Sequence, residues 1–286
     1  CALYSVGHFW KHSPSIGIFV MSLIVFWILA YILSYIDPAH RYGNRNWEWI
    51  RNRRFWKKLT SWWFPLSYHY QFHNFDPSKR YLFIVHPNPY NVGTLFGLGL
   101  HGGERTMTEL NLLWMVPKLY LKVPLVKDVL LWAGAVAQDM SGVVDLMNRG
   151  HSVALCPSGN DDALRFEMDR LYVQQARDDI FQYATERGIA IVPVLIYGEA
   201  ELYKPVRTAW LDYFRKVSID NLGIPWPTLA FGWCNTFIPK RKEMHIYIGT
   251  PVEAKGRGFE MVKEEFYQTL CTLNSTELDK AIELLK

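Results

Sequence analysis

The stretch YLFIVHPNPYNVG, from Tyr81 to Gly93, constrains this chain more than any other. Its apolar and aromatic run, Tyr81 to Val85, predicts a buried strand of about five residues. His86 closes the run. Pro87 and Pro89 then forbid both a continued ladder and a regular helix, so the strand must stop there. Open α/β sheets hold their reacting groups at the carboxyl ends of buried strands. His86 is therefore the side chain around which the rest is arranged.

Three more segments read as strands: His151 to Cys156, Ile189 to Tyr197 and His245 to Ile248. Helices are predicted over Pro124 to Ala133, over Gly142 to Arg149 with Gly150 after it, and over Asp178 to Arg187 with Gly188 in the terminating position. The tail is expected to hold two helices, Phe259 to Leu273 and Thr276 to Lys286, the second opened by Asn274 with Glu277 in capping-box spacing. Gly93 to Gly103 reads either as a loop or as a small-residue helix lying close to a neighbour. Strands alternating with helices predict an α/β fold, a mostly parallel sheet flanked by helices. Four polar clusters follow the strands, His86 to Asn91, Pro157 to Asp162, Gly198 to Glu201 and Gly249 to Pro251. In a parallel sheet all four would line one edge.

Ahead of this domain, Ile16 to Leu33 is an apolar run without a charge. Eighteen helical residues cover roughly 27 Å, close to the hydrocarbon thickness of a bilayer. Ser13-Pro14 supplies a helix start and Asp37-Pro38 a stop. The run is expected to be a membrane helix, or one arm of a hairpin whose other arm lies upstream of Cys1. Arg41, Arg45, Arg51, Arg53, Arg54, Lys57 and Lys58 follow, interleaved with Trp47, Trp49, Phe55, Trp56, Trp62 and Trp63, a mixture suited to lipid headgroups. By the positive-inside rule the body lies on the cytoplasmic side; the endoplasmic reticulum is the expected membrane, with another organelle membrane left open. The expected organisation is thus an anchor at 1–37, an interfacial segment at 38–80 and an α/β domain at 81–286.

A net charge of +4 is too small to point to nucleic acid, and no motif supports that class. The four cysteines lie far apart and read as ordinary thiols. There is no nucleophile elbow, phosphate loop, dinucleotide fingerprint or H-E-x-x-H pair. His69 and His73 are four apart, but no acid or cysteine completes a metal set, so no metal is expected. His86 remains as the candidate general base. Asp161, Asp162, Glu199 and Glu201 are the acids that could orient it.

The order of motifs resembles the diacylglycerol acyltransferase type 2 family, which includes monoacylglycerol and wax-alcohol acyltransferases, over most of the chain from about Gly43 onward. Trp49-Ile50-Arg51-Asn52 matches that family's W-x-R-N. His86-Pro87-Asn88-Pro89 stands at its His-Pro-His-Gly, Lys122-Val123-Pro124 at its Arg-x-Pro, and Ser158 to Asp162 at its Gly-Gly-x-x-Glu. Ile191 to Tyr203 follows L-V-P-V-x-x-F-G-E-N-E-x-Y, and Gly249-Thr250-Pro251-Val252 follows G-x-P-I. The resemblance implies a membrane-bound transfer of an acyl group from acyl-CoA, a substrate and not a resident cofactor, to a lipid alcohol such as diacylglycerol. It also implies His86, Asn88 and Asp162 at the reacting centre, with Asn91, Lys122, Arg177, Glu199 and Glu201 around the substrates. Membrane lipids and acyl-CoA are the implied partners, with a homodimer or a membrane complex left open. Three positions depart from the family. Asn88 replaces its second histidine, Pro89 its glycine and Asp162 its glutamate, and an amide takes up no proton at neutral pH. The alternative those departures raise is an inactive lipid-binding or structural subunit.

Overall fold

The computed structural model describes residues 14–43, 45–86, 90–118, 120–123, 125–156, 176–206, 208–222 and 230–284. Helix α1, Pro14–Ile36, is apolar on every side. Its described side chains, 17–33, are exposed almost throughout. Among the described residues no helix is long and apolar enough to cross a membrane. The base of α1 is fastened to the body by charge. Asp37 receives Arg45 at 2.9 Å, Arg45 also meets Asp128 at 2.8 Å, and Lys127 donates to the Asp37 carbonyl at 3.0 Å.

Helix α2 (Arg54–Trp63) leads into strand β1 (Leu66–Tyr70). Then come β2 (Tyr81–His86), β3 (Leu112–Val116), α3 (Val126–Trp132), β4 (Ala135–Ala137), α4 (Met140–Asn148) and β5 (Ser152–Leu155). Helix α5 (Asp178–Arg187) precedes β6 (Ala190–Tyr197), and the short β7 (Lys204–Pro205), α6 (Ala209–Leu222) and β8 (Ala230–Phe231) separate it from β9 (Met244–Ile248) and α7 (Phe259–Leu284). Seven strands form one sheet in the order β1-β9-β6-β2-β5-β3-β4. The block β6-β2-β5-β3-β4 is parallel throughout, as expected. β9 runs antiparallel to β6, and β1 runs with β9.

That reversal corrects one expectation. Gly249 to Pro251 follows β9 and so lies at the edge opposite the ends of β2, β5 and β6. Periodicity reports which face a side chain takes and is blind to strand direction. The proline inside β6 is accommodated by the same pairing. Pro193 accepts from Gly249 N at 2.9 Å, so its missing N–H faces β9 just beyond a ladder that covers Val194–Tyr197. A second correction concerns the tail. α7 is one helix without a break at Asn274, because Val262, Phe266, Leu270 and Leu273 keep one buried stripe in phase up to that point.

All six residues of β2 are buried, as a central strand covered on both faces requires. Tyr81, Phe83 and Val85 join Leu98, Trp114, Val116 and Ile246 on one face. Leu82 and Ile84 join Val153, Phe181 and Phe266 on the other, under α5 and α7. The first face is roofed by a π-helical turn, Thr94–Gly99, the second of the two forms expected for Gly93 to Gly103. Its glycines seat it. A Cβ on Gly97 would collide with Ile246, and one on Gly99 would lie 2.7 Å from Trp114 Nε1.

The carbonyl end of that turn is held by Arg51, 3% exposed. Its guanidinium donates to Gly99 O at 2.9 Å, Leu98 O at 3.2 Å, Leu112 O at 2.7 Å and Asn46 Oδ1 at 3.0 Å. Burial lowers its pKa to about 10, so it stays charged at neutral pH. The sequence alone grouped Arg51 with residues of the headgroup region, whereas the fold keeps it inside.

Candidate active site

His86 is the last residue of β2 and is 1% exposed. Side chains alternate along a strand, so it shares the face of Leu82 and Ile84, and its ring centroid lies 6.1 Å from that of Phe266. Nε2 is buried and has no hydrogen-bond partner among the described residues. Burial is the cause that pushes its pKa down to about 3, so the ring is neutral at physiological pH. His101, under the same roof as Arg51, is likewise lowered to about 3 by burial and then by the Arg51 charge.

Both shifts carry a consequence for stability. A histidine whose folded pKa lies below its unfolded value of about 6.5 takes up its proton preferentially in the unfolded chain. Stability is then full above about 6.5 and is lost as the pH falls toward about 3. The midpoint of urea unfolding should fall across that window, and His86→Gln or His101→Gln should flatten the fall.

Glu199 sits on the 3-10 turn after β6, Glu199–Leu202, and is 0% exposed. Its Oε1 accepts from Tyr90 N at 3.1 Å and Val92 N at 3.0 Å, on the turn that leaves His86. Oε2 faces Gly93, where a Cβ would come within 3.0 Å, and makes no hydrogen bond among the described residues. Desolvation raises the carboxyl to about 7, against the N–H groups of Val92, Tyr90, Gly93 and Asn91, which pull it down. The turn that carries it is fixed by Gly198, whose φ of +85° and contact with the Glu243 carbonyl leave no room for a side chain.

The other expected residues distribute themselves around this edge. Asn91 takes the left-handed φ of 61°, which asparagine tolerates, and its carbonyl accepts from Leu95 N at 2.9 Å as the helical turn begins. Lys122 ends the short turn Tyr120–Lys122 and points to solvent. Tyr120 lies close to Glu199: burial first, and that carboxylate second, raise its pKa. Arg177 stands at the N-cap of α5 and is paired with Asp179 at 2.6 Å. Glu201 is exposed and paired with Lys242 at 2.9 Å. Asn88 and Asp162, with Asp161, lie outside the described residues. β5 ends at Leu155, which pairs with Ile84 of β2.

Neither described acid therefore touches the imidazole. Glu199 is engaged by backbone N–H groups and Glu201 by a lysine. His69 stacks on Tyr247 and approaches His245 at 3.2 Å, and no metal-holding group is found among the described residues. Sequence reasoning missed the tyrosines close to Glu199, Tyr120 and Tyr203. Tyr90 and Tyr203 have ring centroids 4.8 Å apart, and Tyr203 is raised to about 12 by burial and then by the Glu199 charge.

The fold is that of a glycerolipid acyltransferase-like α/β domain. It resembles the crystal structure of the 1-acyl-sn-glycerophosphate (LPA) acyltransferase PlsC from Thermotoga maritima, with a TM-score of 0.51 and 14% identity over 88% of this chain and 89% of that one. A sequence profile of the family described as diacylglycerol acyltransferase matches residues 16–268. The chain belongs to the diacylglycerol acyltransferase family. It is 24% identical to diacylglycerol O-acyltransferase 2A of Umbelopsis ramanniana over 88% of this chain and 73% of that protein. It is 25% identical to 2-acylglycerol O-acyltransferase 1 of Mus musculus over 83% of this chain and 76% of that one.

Proposed function

We propose that this chain is a membrane-bound O-acyltransferase that moves an acyl group from acyl-CoA to a lipid alcohol such as diacylglycerol. The observation that carries the reading is the His86 imidazole. It is neutral, has an uncommitted Nε2 and stands at the carboxyl end of the central strand in a chain of this family. A neutral imidazole takes the proton of the acceptor hydroxyl as its oxygen attacks the thioester carbonyl. The C–O bond forms, the C–S bond breaks, and the proton passes on to the departing thiolate. The oxyanion is stabilised by donors other than Tyr90 N and Val92 N, which already serve Glu199.

The exposed apolar surface of α1, followed by a basic and tryptophan-rich segment, supports an anchor that presents the site to substrates dissolved in the bilayer. The cytoplasmic face of the endoplasmic reticulum is the compartment proposed. Lys122 and Arg177, at the same sheet edge as His86, are proposed to meet the phosphates of CoA. The test is a reaction of detergent-purified chain with acyl-CoA and diacylglycerol, following free CoA thiol and triacylglycerol together. Equal release of the two supports the proposal, and thiol without triacylglycerol, or neither, overturns it.

A further inference from the structure

We propose that Glu199 is a positioning residue of this site, whose carboxyl group latches the backbone at Tyr90 to Val92 and makes no contact with substrate. Its kinetic consequence rests on the acyl-transfer reading, while the latch itself does not. Four observations support it. The carboxyl group is wholly enclosed, as a latch requires and a substrate contact does not. Its Oε1 gathers two N–H groups, Tyr90 and Val92, from the segment that leads into the Thr94–Gly99 helix. Glycines stand on both sides of the contact, Gly198 fixing the approach of the acid and Gly93 leaving space for Oε2. Finally, desolvation is the largest influence on its titration, opposed by the backbone N–H groups of Val92, Tyr90, Gly93 and Asn91.

The N–H groups of Tyr90 and Val92 are thus taken up by the carboxyl group of Glu199. The titratable groups close enough to feel its charge are Tyr120 and Tyr203, from the turn after β3 and the segment after β6, and burial holds both as neutral phenols at physiological pH. The Glu199 carboxyl, raised to about 7 from an ordinary 4.5, holds its proton more tightly in the closed site than in water. The latch is accordingly complete below about 4.5 and loosens as the pH rises through about 7, because ionisation favours release into water.

Hydrogen exchange of the 90–93 amides, measured by mass spectrometry on the whole chain in detergent, tests this. After correction for intrinsic rates, wild-type exchange there should rise about tenfold or more between pH 5 and pH 9, with the sheet unchanged. Glu199→Ala removes the acceptor that Tyr90 N and Val92 N share. It should exchange about tenfold faster than wild type at pH 5, the loss of about one hydrogen bond, and show no pH dependence. Equal protection in both proteins, or a flat wild-type profile, overturns the latch. Should Glu199→Ala fail to fold, the wild-type pH series decides it. Where acyl transfer is measurable, Glu199→Ala should lower kcat and leave the KM for acyl-CoA within about twofold, the pattern of a lost positioning contact. A raised KM with unchanged exchange would instead make Glu199 a substrate contact. A wild-type chain without any acyl transfer defeats the reaction proposed above, and the exchange data still judge the latch.

Discussion

His86→Ala is expected to lower kcat for acyl transfer by about a hundredfold to ten-thousandfold, the range over which a positioned general base acts. The KM for acyl-CoA should stay within a few-fold, because Nε2 holds no partner among the described residues. A second substitution separates chemistry from packing. A buried nitrogen without a partner costs about 1–3 kcal/mol, so a histidine kept only for structure would be an expensive choice. His86→Leu removes that nitrogen and fills the space beside Phe266. It should therefore abolish turnover and raise the melting temperature by about 2–4 °C, the equivalent of roughly 1 kcal/mol in a domain of this size. Loss of activity together with lower stability would make His86 a packing residue.

Arg51→Met should produce the largest loss of stability in the molecule. The methionine covers much of the same apolar path but donates nothing, leaving Gly99 O, Leu98 O and Leu112 O without the guanidinium that joins them. Each orphaned buried carbonyl costs about 1–3 kcal/mol, and relaxation of the turn recovers part of the sum. A net loss of about 3–5 kcal/mol follows, near the cost of breaking a buried charged contact. It should appear as a drop of about 10 °C or more in the melting temperature and a matching fall in the urea midpoint. Arg51→Lys should recover little of it, since one ammonium cannot span carbonyls that a planar fork reaches in different directions. A change below about 1 kcal/mol would show that these hydrogen bonds contribute nothing net.

The contrast between these two residues shows what the sequence made legible. His86 was found because β2 is buried on both faces and therefore reads as an unbroken apolar run that stops at two prolines. β6 and β5 were legible for the same reason. β1 was not, because LSYHY is a half-exposed edge strand without a clean apolar face. β4, three residues long, is too short to carry a period. The direction of β9 was invisible, and with it the edge on which Gly249 to Pro251 lies. Arg51 was counted with its basic neighbours because charge alone does not reveal that three carbonyls wait inside the fold. Glu199 is legible as a candidate from its place in the polar cluster after a strand, but its backbone partners depend on β6 lying next to β2, a pairing that becomes visible only in three dimensions.

The most direct measurement is a structure of the membrane-embedded chain with a non-hydrolysable thioether analogue of acyl-CoA. The account predicts the analogue's acyl carbon beside His86, near enough that a hydroxyl about 3 Å from Nε2 touches both. An analogue bound elsewhere, with the ring still enclosed by Phe266 and its neighbours, would contradict it.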